Sequence, residues 1–438
     1  MKAPKLAGVF LIVGCLLTYL MFIKRPYATT KPDVVSLSQP RLTGAVAPLE
    51  DEGPTSAAAT PRFQYSIIFD AGSTGTRIHI FKFRMEDRGL PSLDHETFRS
   101  IKPGLSAYAD EPEEVRLPLC LVPFILWDLT PVVLSATAGL RLLPEEKAQN
   151  LLDTVEALFA KSPFLSRDDN ISILNGVDEG SCSVRVSSVF PNGGLQQADS
   201  TVGMLDLGGG SIQITFSPQD EKTVQTSSIE NLRSFQMFNH THMVYAHSHT
   251  PGSYLGLGLM SARLAILGGV EASPLGGSTE LVSPCLAPEY SGSWKYGDII
   301  YTVKGLKAGE SLYTACLTKV EKFLNRRVLQ VSDTELDFYL LSYFYDRGVN
   351  LGLLEEGEEK TVLVSDYIQA AKRVCSGLTV SPQQSPFLCL DLVYISVLLQ
   401  EFGFPPHKQF NLVQTVNKVG ISWSLGAAFH DMEARKTH

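Results

Sequence analysis

Positive charge is scarce in this chain. Its 438 residues carry 37 Lys and Arg against 46 Asp and Glu, a net charge of −9. That balance argues against a nucleic-acid surface and leaves no basic patch to steer an anion. A polyanion site here must draw its positive charge from a metal and from local N–H groups. The nine His show no metal-ligand spacing, and His247 and His249 read as part of a surface loop. No short-period repeat is present, which excludes a solenoid. No second long apolar run lies near the C-terminus, so any membrane span must be N-terminal.

What the chain does have is a near-duplicate. Residues 67–77 read IIFDAGSTGTR and residues 204–214 read MLDLGGGSIQI. Each is a short apolar run, an Asp, and then a Gly/Ser/Thr loop. One such loop is compatible with a plain turn. Two of them point to phosphate-gripping hairpins that face one another across a cleft. Bare backbone N–H groups bind dense negative charge when the chain can approach closely, and glycine permits that approach. Gly72 and Gly75 serve this in the first loop, and Gly208, Gly209 and Gly210 in the second. Ser73, Thr74, Thr76 and Ser211 add hydroxyls. Asp70 and Asp206 each end an apolar run, where they can hold Mg²⁺ through its retained waters. Arg77 is a candidate phosphate clamp, since guanidinium matches phosphate oxygens in a fork. Neither loop follows the Walker G-x-x-x-x-G-K-[ST] or the dinucleotide G-x-G-x-x-G pattern.

Residues 6–23 form an unbroken hydrophobic segment between Lys2 and Lys5 on one side and Lys24 and Arg25 on the other. It is just long enough to span a bilayer. No A-x-A-like cleavage site follows directly. Residues 1–25 are therefore expected to be an uncleaved type II signal anchor, although the flanking charges orient it only weakly. Residues 26–62 are rich in Pro, Ser, Thr and Ala and read as a flexible stem. Seven cysteines agree with a secretory route. The local pairs Cys285 with Cys316 and Cys375 with Cys389 suggest two small-loop disulfides, each worth about 3 kcal/mol. The state of Cys120 and Cys182 stays open. Asn170 and Asn239 begin N-x-[ST] glycosylation sequons.

Beyond the stem, strand patterns at 65–69, 78–83, 131–136, 170–175, 202–207 and 212–216 alternate with helical patterns at 144–161, 258–267, 309–326, 364–374, 390–401 and 423–432. This interleaving predicts an α/β fold in two similar lobes. The first lobe is expected over 63–175, completed by a C-terminal helix at 423–438, and the second over 176–422.

Five motifs then occur in order: DAGSTGTR at 70–77, ATAGLR at 136–141, DEG at 178–180, DLGGGS at 206–211 and SWSLGA at 422–427. They resemble the apyrase-conserved regions of the ectonucleoside triphosphate diphosphohydrolases, from about residue 65 to residue 430. The segment YLGLGLMSARLAILG at 254–268 looks most similar to the type 6 and type 5 members, which favour nucleoside diphosphates. The resemblance implies an actin-like, RNase H-like pair of lobes with the active site between them. It implies hydrolysis of GDP, UDP or IDP to a nucleoside monophosphate and phosphate, with Ca²⁺ or Mg²⁺. Glu179 matches the general base, and Ser211 and Gln213 match residues that orient the attacking water. Asp70 and Asp206 match residues that hold the cation through water, with Thr137 near the metal shell. Tyr343 matches a base-binding region, and Trp423 is a second stacking candidate. The implied setting is the Golgi membrane with a lumenal catalytic body, secreted if the stem is cleaved. The expected partners are the nucleotide and the membrane, with no nucleic acid, and the expected state is a monomer.

Three departures stand out. The run SCSVRVSSVF at 181–190 lacks the Trp that usually follows DEG; Val184 in its place would leave a void costing about 2–4 kcal/mol unless neighbours repack. Residues 111–128 hold Pro112, Pro118 and Pro123, which forbid the amphipathic helix of relatives. Ile212 replaces a Thr, which removes a hydroxyl beside the second loop. These motivate an alternative function: a catalytically impaired nucleotide-binding protein, or a splice form, of the same fold. A sugar kinase or chaperone-like ATPase of this superfold is a third reading.

Overall fold

Ile67, Ile68 and Phe69 are consecutive apolar residues, and such a strand needs cover on both faces. In the computed structural model they sit inside β1 (Arg62–Ala71) and are fully buried. The structure describes residues 62–436 apart from 86–90, 116–121, 168–169, 176–177, 181, 183–201, 220, 238–239, 250–255, 270–278, 298, 308, 329, 332, 378–384 and 417–418. The expected anchor at 1–25 and nearly all of the stem lie outside the described residues, as do Cys120, Val184 and Asn239. Among the described residues no helix is long and apolar enough to cross a membrane.

β1 pairs antiparallel with β2 (Thr76–Met85), and β3 (Ser92–Ile101) extends that side. β4 (Val132–Ala136) and β5 (Ile171–Ile173) add in parallel on the other side, giving the order β3-β2-β1-β4-β5. β4 turns directly into the short helix α1 (Ala138–Arg141), and α2 (Glu145–Ala160) follows. Leu151, Val155 and Phe159 of α2 cover Ile67 and Phe69.

The second lobe opens in the same way. β6 (Gly203–Leu207) and β7 (Ile212–Phe216) form a hairpin. After α3 (Glu221–Thr226), β8 (Leu232–Met237) and β9 (His240–His249) extend its antiparallel side. His247 and His249 thus lie in a strand and not in the expected loop, because Val244 and Ala246 bury against the sheet. Next come α4 (Leu259–Leu267), the three-stranded sheet of β10 (Glu280–Ser283), β11 (Ser291–Tyr296) and β12 (Ile299–Gly305), and α5 (Leu312–Leu324). α5 begins later than its periodicity suggests because Ser311 caps it, its hydroxyl accepting from the Thr314 N–H at 3.2 Å.

β13 (Phe338–Ser342) joins β6 in parallel and turns directly into α6 (Tyr343–Asn350), just as β4 joins β1 and enters α1. β14 (Lys360–Leu363), α7 (Val364–Cys375), α8 (Leu388–Glu401) and β15 (Gln409–Leu412) complete a seven-stranded sheet, β14-β15-β13-β6-β7-β9-β8. The small pair β16 (Thr415–Val416) and β17 (Val419–Gly420) leads to α9 (Trp423–Lys436). α9 returns to the first lobe, where Leu425 and Phe429 cluster with Ile68, Phe81 and Phe83. The two faces of β1 are therefore covered by α2 and α9, following the strand period of two.

Both expected disulfides are present, Cys285–Cys316 and Cys375–Cys389. The proline-rich 111–128 segment forms short 3₁₀ turns over Pro112–Glu114 and Phe124–Leu129, with 116–121 outside the described residues. Asn170 corrects a sequence expectation. Its side chain is buried and its amide donates to the Val132 carbonyl at 2.9 Å. An amide nitrogen spent in that way is not open to a glycan in the folded chain. Mass spectrometry of the purified protein is expected to find Asn170 unmodified, and Asn170→Ala is expected to cost about 1–3 kcal/mol in chemical denaturation, for the carbonyl left unpaired.

Candidate active site

The two hairpin turns close alike. The Gly72 N–H donates to the Gly75 carbonyl at 3.0 Å, and the Gly208 N–H donates to the Ser211 carbonyl at 3.0 Å. They also face one another. A Cβ added to Gly209 would lie 2.5 Å from Ser73 Oγ and 2.8 Å from Thr74 Cγ2. Any side chain there would drive the second loop into the first, so glycine is needed for the close approach.

Behind the loops lie the carboxylates. Asp70 Oδ2 accepts from Arg77 Nη1 at 3.1 Å, while Asp70 Oδ1 is buried without a hydrogen-bond partner among the described residues. Asp206 is half-buried, and desolvation pushes its carboxyl up; a hydrogen bond from Ser342 and the charge of Arg77 pull it back. Asp70 holds the Arg77 guanidinium more firmly protonated, and Asp206 and Tyr343 add to this from across the cleft. The Thr137 N–H donates to the Ala71 carbonyl at 3.1 Å, which seats Thr137 at the end of the first loop.

Glu179 is at the centre, on a helical turn at 178–180. Its Oε2 accepts from Arg141 Nη2 at 3.1 Å and lies 3.4 Å from Gln213 Nε2. The same Gln213 nitrogen reaches Ser211 Oγ at 2.7 Å and Ser248 Oγ at 3.2 Å, and Arg141 Nη2 lies 3.3 Å from Ser211 Oγ. Burial pushes Glu179 up to about 7; Arg141 opposes this, and the charges of Asp206 and Asp70 add to it. A carboxyl near neutrality is matched to general-base work.

The structure thus brings Glu179, Ser211 and Gln213 together beside both loops. Tyr343 begins α6, half buried, with the Arg347 guanidinium 5.4 Å from its ring centroid. Trp423 does not belong to the site. It is 4 % exposed and packed in the cluster under α9, so it offers no face to a nucleobase. Ile212 also corrects an expectation. Ser211 and Gln213 point to the cleft, so residue 212 points the other way and lies fully buried in the second lobe's core. A hydroxyl lost there is lost from the core and not from the phosphate loop.

Two residues of the site escape a reading of the sequence. Arg141 closes the ATAGLR motif, but nothing along the chain ties it to Glu179. Ser342 opens the Ser-Tyr-x-Tyr-Asp run that pointed to Tyr343, but nothing along the chain ties it to Asp206; it occupies in the second lobe the place of Thr137 in the first, between a central strand and a short helix. Its backbone has φ 56° and ψ −122°, a region that costs a non-glycine residue about 1–3 kcal/mol. Ser342→Gly is expected to raise the melting temperature while lowering kcat, because it relieves the backbone but removes the hydroxyl from Asp206.

The donor set fits a divalent cation. Asp70 has a buried oxygen with no hydrogen bond among the described residues, and Asp206 is a second, half-buried carboxylate across the cleft. Oxygen ligands of this kind suit Ca²⁺ or Mg²⁺.

Paired glycine hairpins, facing acidic residues and a buried glutamate define a two-lobed actin-like hydrolase with its site in the interlobe cleft. The chain belongs to the GDA1/CD39 (nucleoside phosphatase) family, which matches residues 57–438. It is 49 % identical to the human ectonucleoside triphosphate diphosphohydrolase 6 over 84 % of this chain and 77 % of that one. It is 41 % identical to the human nucleoside diphosphate phosphatase ENTPD5, over 84 % of this chain and 88 % of that one. The solved structure of nucleoside triphosphate hydrolases from Neospora caninum shares the fold, with a TM-score of 0.54 at 15 % identity, covering 86 % of this chain and 93 % of that one. The chain is accordingly a nucleoside phosphatase, a hydrolase of the apyrase type.

Proposed function

We propose that this chain hydrolyses nucleoside diphosphates such as GDP, UDP and IDP to the monophosphate and phosphate, in the lumen of the secretory pathway. The observation that carries the reading is the buried cluster of Glu179, Ser211 and Gln213 between two phosphate-binding loops. Glu179 takes a proton from a water that Ser211 and Gln213 hold in line with the terminal phosphorus. The amides of Gly72, Gly75 and Gly208–Gly210, the hydroxyls of Ser73 and Thr74, and Arg77 hold the phosphates. Phosphoryl transfer asks mainly for such positioning and charge neutralisation. Ca²⁺ or Mg²⁺, held through water by Asp70 and Asp206 with Thr137 beside them, would supply part of that neutralisation. Tyr343 is the base platform. The 41 % identity to a nucleoside diphosphate phosphatase and the 49 % identity to a type 6 relative support the diphosphate preference.

The two disulfide bridges and the apolar segment at 6–23 support a Golgi-membrane, type II setting, with secretion if the stem is cut. The test is phosphate release by the full chain from GDP, UDP, IDP and the corresponding triphosphates, with Ca²⁺, Mg²⁺ or chelator. Diphosphate turnover that chelator abolishes is expected. Tight diphosphate binding in calorimetry without any phosphate release would instead favour a nucleotide-binding protein.

A further inference from the structure

The second phosphate loop is seated on a helix. The N–H of Leu259 donates to the Gly208 carbonyl at 2.9 Å, and those of Met260 and Ser261 donate to the Gly209 carbonyl at 2.9 and 3.1 Å. A trans peptide points its N–H opposite its C=O. With the carbonyls of Gly208 and Gly209 turned into the first turn of α4, the amides of Gly209 and Gly210 point away from that helix. The position of α4 therefore decides where the phosphate-facing amides stand.

α4 is itself held from behind. Arg263, buried in α4, gives both Nε and Nη2 to Asp391 of α8, at 3.1 and 2.7 Å. The Tyr394 hydroxyl, one turn further along α8, donates to the Leu257 carbonyl just before α4. Asp391 is 1 % exposed on a helix whose other buried residues are nearly all apolar. The same Asp391 also accepts from Arg347 Nε at 2.8 Å. Arg347 belongs to α6, one turn after Tyr343, and its guanidinium lies 5.4 Å from the Tyr343 ring. Residues four apart on a helix share a face, so Arg347 fixes the ring against which a base would stack.

One buried carboxylate thus joins the helix behind the phosphate loop to the helix that carries the base platform. We propose that Asp391 is a positioning residue that couples the two halves of the nucleotide site, setting the span between Tyr343 and the Gly208–Gly210 amides. It rests on the nucleoside diphosphatase reading above. The Arg347 arm acts on base binding, which is the same in ground and transition states, and so governs KM. The Arg263 arm acts on the amides that meet the reacting phosphate, and so governs kcat.

Steady-state kinetics of the full chain on GDP test this. Arg347→Lys is expected to raise KM about fivefold or more with kcat within about twofold, and Arg263→Lys to lower kcat about fivefold or more with KM within about twofold. Asp391→Asn is expected to move both. A purely structural role would lower the amount of active enzyme, and so apparent kcat, in all three variants while leaving KM alone. That result, or an Arg347→Lys variant with unchanged KM, overturns the proposal. Should Asp391→Asn fail to fold, the two Lys variants still decide it: if both move the same constant, the coupling is wrong. A wild-type chain that does not turn over GDP overturns the functional reading first and the coupling with it, a result distinct from an active enzyme with unaltered variants.

Discussion

Glu179→Gln is expected to lose about 100-fold or more in kcat on GDP while remaining folded, since a positioned general base commonly contributes about 10²–10⁴. Gln keeps the shape of Glu and can still meet Arg141 and Gln213, but it cannot take a proton from water. KM should change little, because the proposed substrate contacts, the two loops and Tyr343, do not depend on Glu179. A variant with normal turnover would remove Glu179 from the chemistry. The same substitution has a stability signature. The folded carboxyl titrates at about 7 against an ordinary 4.5, raised chiefly by burial. Its contribution to stability is therefore fully present below pH 4.5 and is lost as pH rises through about 7. The loss amounts to roughly 3 kcal/mol at most. Wild-type melting temperature should fall between about pH 5 and pH 8 by more than that of Glu179→Gln. Equal falls would show that Glu179 is not buried as described. Activity should run the opposite way and rise through the same window, since a Glu179 that accepts a proton must first be ionised.

Arg141→Met carries the second large effect. Arg141 supplies the positive charge that opposes the burial of Glu179, at 3.1 Å, and it also donates to the Leu174 carbonyl and approaches Ser211. Without it, burial and the negative charges of Asp206 and Asp70 act on Glu179 unopposed. The acid limb of the kcat profile should move to higher pH. At about pH 7 activity should fall about fivefold or more, because an opposite charge at hydrogen-bond distance ordinarily lowers a carboxyl by about a pH unit or more. Activity should recover in part at alkaline pH, and Arg141→Lys should keep most of the wild-type profile. A uniform loss at every pH would instead mean that Arg141 acts on the phosphate and not on Glu179. A cation that neutralises Asp70 and Asp206 removes two of the charges that raise Glu179. Increasing divalent cation should therefore draw the limb to lower pH in both proteins.

The site is legible in the sequence in proportion to how local it is. Each glycine hairpin is a contiguous run, so residues 70–77 and 206–213 announce both their conformation and their ligand type. Helix and strand identity also come through where periodicity is strong, as in α2 and α8. Sequence misleads where a residue's surroundings come from another part of the chain. Trp423 looks like a stacking aromatic in a polar motif, yet α9 folds back onto β1 and buries it beside Ile68 and Phe81. Asn170 satisfies a sequon, but β5 lies next to β4 and the Val132 carbonyl claims its amide. Ile212 reads as a defect along the chain, and strand alternation places it in the core.

The chemistry available to this protein is written along the chain: two Gly-rich loops suited to phosphate, two acidic residues at strand ends, a carboxylate between them and two short-loop disulfides. It is legible there because loop conformation and ligand preference depend on neighbouring residues. How that chemistry is tuned depends on contacts between segments far apart in the chain. Arg141, Ser342 and Asp391 act on partners brought beside them by sheet order and helix packing. The Arg141–Glu179 pair spans 38 positions and the Arg263–Asp391 pair spans 128. Charges in a buried cleft interact through space and not along the chain, so the base strength of Glu179 and the span of the nucleotide site were settled by the fold.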